Sequence, residues 1–129
     1  MKKRVLVAED SPTLRRIVAN CLKKAGFEVE QASDEVEALR IIRSTRTPFD
    51  AILADLEMRK EKDIITNGIS LAQCVRRMDG YQFTPIIIMD TVCDEQTKAS
   101  AQQVGVTDLV VKDYSFATAL RALQAALAK

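Results

Sequence analysis

The sequence predicts an α/β fold, a doubly wound parallel sheet of five strands with helices on both faces. Strand-like and helix-like stretches alternate five times, the pattern of successive βαβ units. The runs Val5-Leu6-Val7-Ala8 and Ile86-Ile87-Ile88-Met89 are continuously apolar, as in parallel strands covered on both faces. Four of the runs end beside charged side chains, at Glu9-Asp10, Asp55, Asp90 and Lys112. Right-handed crossovers bring the C-terminal ends of all strands to one edge of the sheet. Ligands of such sheets bind at that edge, where the strand order reverses.

Arg4–Ala8 reads as the first strand. Ser11 caps the helix that follows, and Pro12 occupies its first position, where a missing N–H costs nothing. Leu14, Ile17, Val18, Cys21, Leu22 and Ala25 recur at helical spacing until Gly26, a good C-terminal stop. Residues 27–32 alternate, with Phe27 and Val29 against Glu28 and Glu30, which predicts a strand near the edge of the sheet. Asp34 and Glu37 have capping-box spacing ahead of Val36, Ala38, Leu39 and Ile42. Residues 49–54 form the third strand. A polar stretch over 57–67 precedes a helix carrying Ile69, Leu71, Ala72 and Val75. Residues 85–89 form the fourth strand, 94–104 a polar helix with few apolar positions stopped by Gly105, and 109–111 the fifth strand. Ser115 is expected to cap a final helix bearing Phe116, Ala119, Leu120, Leu123 and Leu127.

Composition narrows the function. The 129 residues are the size of one domain, expected to span 1–129. With 47% hydrophobic residues and a net charge of +1, the chain reads as a soluble globule, expected in the cytoplasm, with no basic excess to attract nucleic acid or an anionic membrane. No apolar run approaches the roughly 20 residues of a membrane span, and the start MKKRVLVAED lacks the apolar core of a signal peptide. Cys21, Cys74 and Cys93 are far apart, in neither a zinc nor a disulfide pattern; Cys21 and Cys74 are expected to be small buried hydrophobes. The absence of histidine excludes Ser-His and Cys-His hydrolases.

The charged strand ends carry the chemistry. Each acid alone could be a solvated side chain near a helix N-terminus. Jointly, Glu9, Asp10 and Asp55 would gather carboxylate oxygens suited to a hard divalent cation such as Mg²⁺, and Lys112 beside them suits a phosphoryl oxygen.

The stretches VLVAEDSPTLRRIV, FDAILADLEM, TPIIIM and DLVVK, in this order and at this spacing, resemble the receiver (phosphoacceptor) domain of two-component response regulators along the whole chain. The resemblance implies a flavodoxin-like sheet of order 2-1-3-4-5 with five helices. It implies Asp55 as phosphoacceptor and Lys112 as the phosphoryl-binding lysine. It also implies a Mg²⁺ site of Asp10, Asp55, the backbone carbonyl of Glu57 and, through water, Glu9. The expected partner is a histidine kinase or phosphotransfer protein, with a downstream protein on the face built by residues 94–129. The chain is expected to be a signalling phosphoacceptor rather than an enzyme, either standing alone or as a piece of a longer protein.

Departures from the family pattern qualify the switch. Asp90 occupies the position of the usual serine or threonine, and Thr91 could serve only if the strand shifted by one residue. Leu109 replaces the aromatic switch residue. Asp113 replaces the proline after the lysine, so the peptide there is expected to be trans, a non-proline cis bond costing about 3–4 kcal/mol. Asp90 is expected to pair with Lys112. Asn67-Gly68 follows Asp55 at a longer interval than usual, implying an inserted surface loop over 59–66 without helical or strand periodicity. A phosphorylation-independent interaction module is the alternative function, and Asp90 is the feature that favours it. An aspartyl phosphatase is disfavoured because Asp55-Leu56-Glu57 follows the third strand rather than the first.

Overall fold

The structure, a computed structural model, describes residues 2–59, 65–113 and 115–128, with the backbone alone at 59, 65 and 66. In chain order its elements are β1 (Arg4–Ala8), α1 (Pro12–Lys24), β2 (Glu28–Ala32), α2 (Glu35–Ser44), β3 (Ala51–Asp55), β4 (Glu57–Arg59), β5 (Ile65–Asn67), α3 (Gly68–Arg76), β6 (Ile86–Asp90), α4 (Glu95–Gln103), β7 (Asp108–Val111) and α5 (Ala117–Leu127). Five strands form one sheet in the order β2-β1-β3-β6-β7, all pairs parallel. This is the expected 2-1-3-4-5 arrangement, with the order reversing between β1 and β3.

Side-chain alternation along the strands divides the core in two. Val5, Val7, Leu53, Ile87 and Met89 pack with Val18 and Leu22 of α1 and Ala119 and Leu123 of α5. Leu6, Ala8, Ile52, Ala54, Ile86 and Ile88 pack with Ala38, Leu39 and Ile42 of α2 and Leu71, Ala72 and Val75 of α3. The central strands β1, β3 and β6 are therefore apolar on both faces. The edge strand β2 alternates exposed Glu28 and Glu30 with partly buried Val29.

Local sequence explains most helix starts. The Ser11 hydroxyl accepts from the Leu14 N–H at 3.2 Å, and Asp34 Oδ1 accepts from the Glu37 N–H at 2.8 Å. The Glu37 carboxylate turns back to the Ser33 N–H at 3.0 Å, completing a variant of the expected box.

Four expectations need correction. The segment expected to be a plain loop contains the antiparallel hairpin β4-β5, paired Glu57↔Asn67, Met58↔Thr66 and Arg59↔Ile65. Its residues 60–64 lie outside the described residues. Met58 is fully buried in the core beneath α2 and α3. Strands of three residues with mixed polarity carry no readable periodicity, so nothing in the local pattern announced them. The last helix is capped differently: Phe116, with φ 57°, is its N-cap and makes no side-chain cap bond, while Asp113 Oδ2 receives the Thr118 N–H at 3.3 Å and hydroxyl at 2.8 Å. The third strand begins at Ala51 rather than at Phe49, which is buried and gives its N–H to the Tyr81 hydroxyl at 3.1 Å. Cys21 and Cys74 are only partly buried. No described peptide bond is cis, as expected for Asp113 after Lys112.

Candidate functional site

Glu9 and Asp10 follow β1, Asp55 ends β3 and Lys112 follows β7, so the sheet delivers all four to its C-terminal edge. Glu9, Asp10 and Asp55 each offer a carboxylate oxygen, and the three oxygens lie within 4.8 Å of one another. Lys112 spans the gap from the edge strand: its Nζ is 3.0 Å from Asp55 Oδ2 and 2.5 Å from Glu9 Oε1. Its main chain is fixed by an N–H bond of 2.9 Å to the Asp90 carbonyl.

Glu9 is the one fully buried charged residue among those described. Its backbone N–H bonds the Ala32 carbonyl at 3.0 Å, its Oε2 accepts from the Ser11 N–H at 3.1 Å, and its carbonyl accepts from Arg15 Nη1 at 2.9 Å. The sequence reading missed Arg15. Its one signal is placement one turn into α1, on the side that faces the end of β1.

The electrostatics follow from crowding. Burial raises the Glu9 pKa to about 7, opposed by the Lys112 hydrogen bond and reinforced by Asp10 and the charge of Asp55. Burial likewise raises Asp55, and Lys112 offsets part of that rise. For Lys112, burial acts to lower the pKa, but its bonds to Glu9 and Asp55 outweigh burial and leave it raised. Three carboxylates thus share one ammonium in a half-enclosed cleft, and the surplus negative charge favours a cation. The donors are all oxygens, which fits Mg²⁺ better than a softer metal.

The remaining candidates fall elsewhere. Asp90 does not pair with Lys112, contrary to expectation. Its Oδ2 accepts from the Cys93 N–H at 3.0 Å, and Cys93 has a left-handed backbone with φ 56°. The pleat gives the reason: Asp90 shares the strand face of Ile86 and Ile88, whereas Asp55 follows Leu53 on the other face. Thr91 is exposed beyond the strand end. Leu109 is partly buried against the core beneath α2 and α3, away from Lys112. Glu57 opens β4 with its side chain exposed.

Residues 5–124 match the family of response regulator receiver domains. The chemotaxis protein CheY-3 of Vibrio cholerae is 28% identical over 116 residues, 89% of this chain and 84% of that protein. The sensor histidine kinase CheAY of Helicobacter pylori is 30% identical over 111 residues, which are 86% of this chain and 13% of the kinase. Among solved structures, the chemotaxis response regulator CheY4 of Vibrio cholerae is similar with a TM-score of 0.85 and 33% identity, covering 98% of this chain and 99% of that one.

Proposed function

The chain belongs to the response regulator receiver domain family, and on that premise we propose that it is a two-component phosphoacceptor whose nucleophile is Asp55. The observation that carries this reading is the Lys112 ammonium 3.0 Å from the Asp55 carboxylate, inside a cluster of three acids. An oxygen of Asp55 attacks the phosphorus of a partner's phosphohistidine, the P–N bond breaks, and an acyl phosphate forms. Asp10, Asp55 and the Glu57 carbonyl would hold Mg²⁺, with Glu9 acting through water. The bound ion supplies charge neutralisation and alignment of the transferring group. Lys112 exchanges its contact with the free Asp55 carboxylate for a phosphoryl oxygen, so that developing charge meets a fixed cation. Glu9 keeps Lys112 pointed into the cleft.

The donor is a histidine kinase or phosphotransfer protein, and the transfer takes place in the cytoplasm. No described helix is long and apolar enough to cross a membrane. A downstream protein would read α4, β7 and α5, where Val111 is half exposed.

Incubation with acetyl phosphate and Mg²⁺ tests the reading. The expected product is an acid-stable, base-labile phosphoryl adduct absent from Asp55→Asn. Modification mapping to Ser11 or Thr91 would assign another nucleophile. A second reading, an interaction module independent of phosphorylation, is favoured by Asp90, a carboxylate where the family has a serine or threonine. Wild-type protein that takes up no phosphoryl group while still binding its partner would establish it.

A further inference from the structure

The hairpin ends where α3 begins, and that junction touches the backbone of Asp55. Gly68, the first residue of α3, is buried. A Cβ there would stand 2.8 Å from the Asp55 carbonyl oxygen, and 3.3 and 3.4 Å from Cδ1 and Cγ1 of Ile88. The Ile88 side chain could yield by changing rotamer. The carbonyl has less freedom, because the N–H of the same peptide group, that of Leu56, is bonded to the Met89 carbonyl at 2.8 Å. The next peptide group is held as well: the Leu56 carbonyl accepts from the Gly68 N–H at 2.9 Å. Asn67, paired with Glu57 across the hairpin, caps α3 by accepting from the Ser70 N–H at 2.7 Å.

We propose that Gly68 is a positioning residue for the acidic site: its bare Cα lets the start of α3 close on the two peptide groups that join Asp55 to Glu57. This clamp fixes the Asp55 carboxylate relative to the Glu57 carbonyl. The inference rests on the reading that both groups serve one Mg²⁺ ion. A methyl group at residue 68 displaces the Asp55–Leu56 peptide, and with it the spacing of the two ligands.

The test separates positioning from packing. Gly68→Ala is compared with Gly68→Ala/Ile88→Val, which removes Ile88 Cδ1 but leaves the contact with the Asp55 carbonyl. Mg²⁺ affinity is measured by calorimetry and stability by thermal melting. The expected result is a loss of about 10–100-fold in Mg²⁺ affinity for Gly68→Ala, as for other groups that orient metal ligands. The Ile88→Val change should restore part of the melting temperature and none of the affinity. Unchanged affinity in Gly68→Ala, or affinity restored by Ile88→Val, overturns the inference. If Gly68→Ala alone does not fold, the double variant carries the comparison. Failure of the wild-type protein to bind Mg²⁺ would instead remove the metal reading. The position of Gly68 is then judged by NMR: a shifted Asp55 carbonyl carbon and Lys112 ammonium in the variant uphold the clamp, and unshifted signals overturn it.

Discussion

Glu9 shows how burial changes the work a carboxylate does. Its pKa is raised from an ordinary 4.5 to about 7, burial being the largest cause. Between those values the folded state holds more protons than the unfolded chain, so the stability contributed by this group falls as pH rises through the window and levels off above about 7. Asp55, also raised by burial, acts in the same direction. Urea melts in chelator should therefore show the metal-free domain losing stability from about pH 5 to about pH 7, with a shallower slope in Glu9→Gln. Mg²⁺ affinity should rise over the same interval, because the ion and the proton compete for the cluster; a flat affinity profile would argue that Glu9 is ionised throughout. Asp90 raises a different question. A carboxylate cannot donate to a phosphoryl oxygen, and it repels one. Asp90→Thr should speed modification by acetyl phosphate or lengthen the life of the adduct, by up to about tenfold, the size of one like-charge repulsion in a partly exposed cleft. Equal kinetics in wild type and variant would mean that the charge of residue 90, held against the Cys93 N–H on the other face of the strand, does not reach the transferring group.

At the scale of elements, the hairpin and α4 contrast. The β4-β5 hairpin is tied down by Met58, whose side chain is fully buried. Met58→Ala should destabilise the domain by about 2–5 kcal/mol, the usual range for emptying a buried methionine site, as read from denaturant melts. Shortening the chain within 60–64 should leave the melting temperature nearly unchanged, because loop length carries a small entropy term. If that shortening unfolds the protein, the segment belongs to the core after all. Transfer lost from one kinase at constant stability would make the hairpin a specificity element. Helix α4 buries only Ala101 among its residues, while Asp94 caps its start through the Thr97 N–H at 2.8 Å. That cap holds the Asp94 carboxyl below its ordinary pKa. A helix with one buried side chain is bound to the sheet by little apolar area.

Over the whole molecule, stability is therefore uneven. The sheet centre, where β1, β3 and β6 are buried on both faces, should exchange its amide hydrogens most slowly, and α4 should exchange fastest of the five helices. Hydrogen exchange followed by mass spectrometry would check this ranking. Exchange in α4 as slow as in α3 would require contacts beyond Ala101. The same gradient places the least anchored helix beside the end of β6, where a change in charge at the acidic cluster would be felt.

Local pattern in the chain specified the alternation of elements, the central apolar strands and the caps at Ser11 and Asp34, because each rests on neighbours within a few residues. It also determined which side chains meet: parallel strands joined by right-handed crossovers must bring Glu9, Asp10, Asp55 and Lys112 to one edge. Tertiary structure decided what those side chains do to one another. Lys112 bonds Glu9 and Asp55 instead of Asp90 because strand alternation near the end of β6 turns residue 90 toward the opposite face, where the Cys93 N–H receives it. The hairpin was illegible because its strands are short and pair mainly with each other, and its anchor Met58 is recognised only by the cavity it fills. The closeness of Gly68 to the Asp55 carbonyl was equally hidden, since a glycine at a helix start reads as a turn residue until the fold presses the end of β3 against it. Local pattern specifies elements, while contacts between residues far apart in the chain exist only once the whole sheet is assembled.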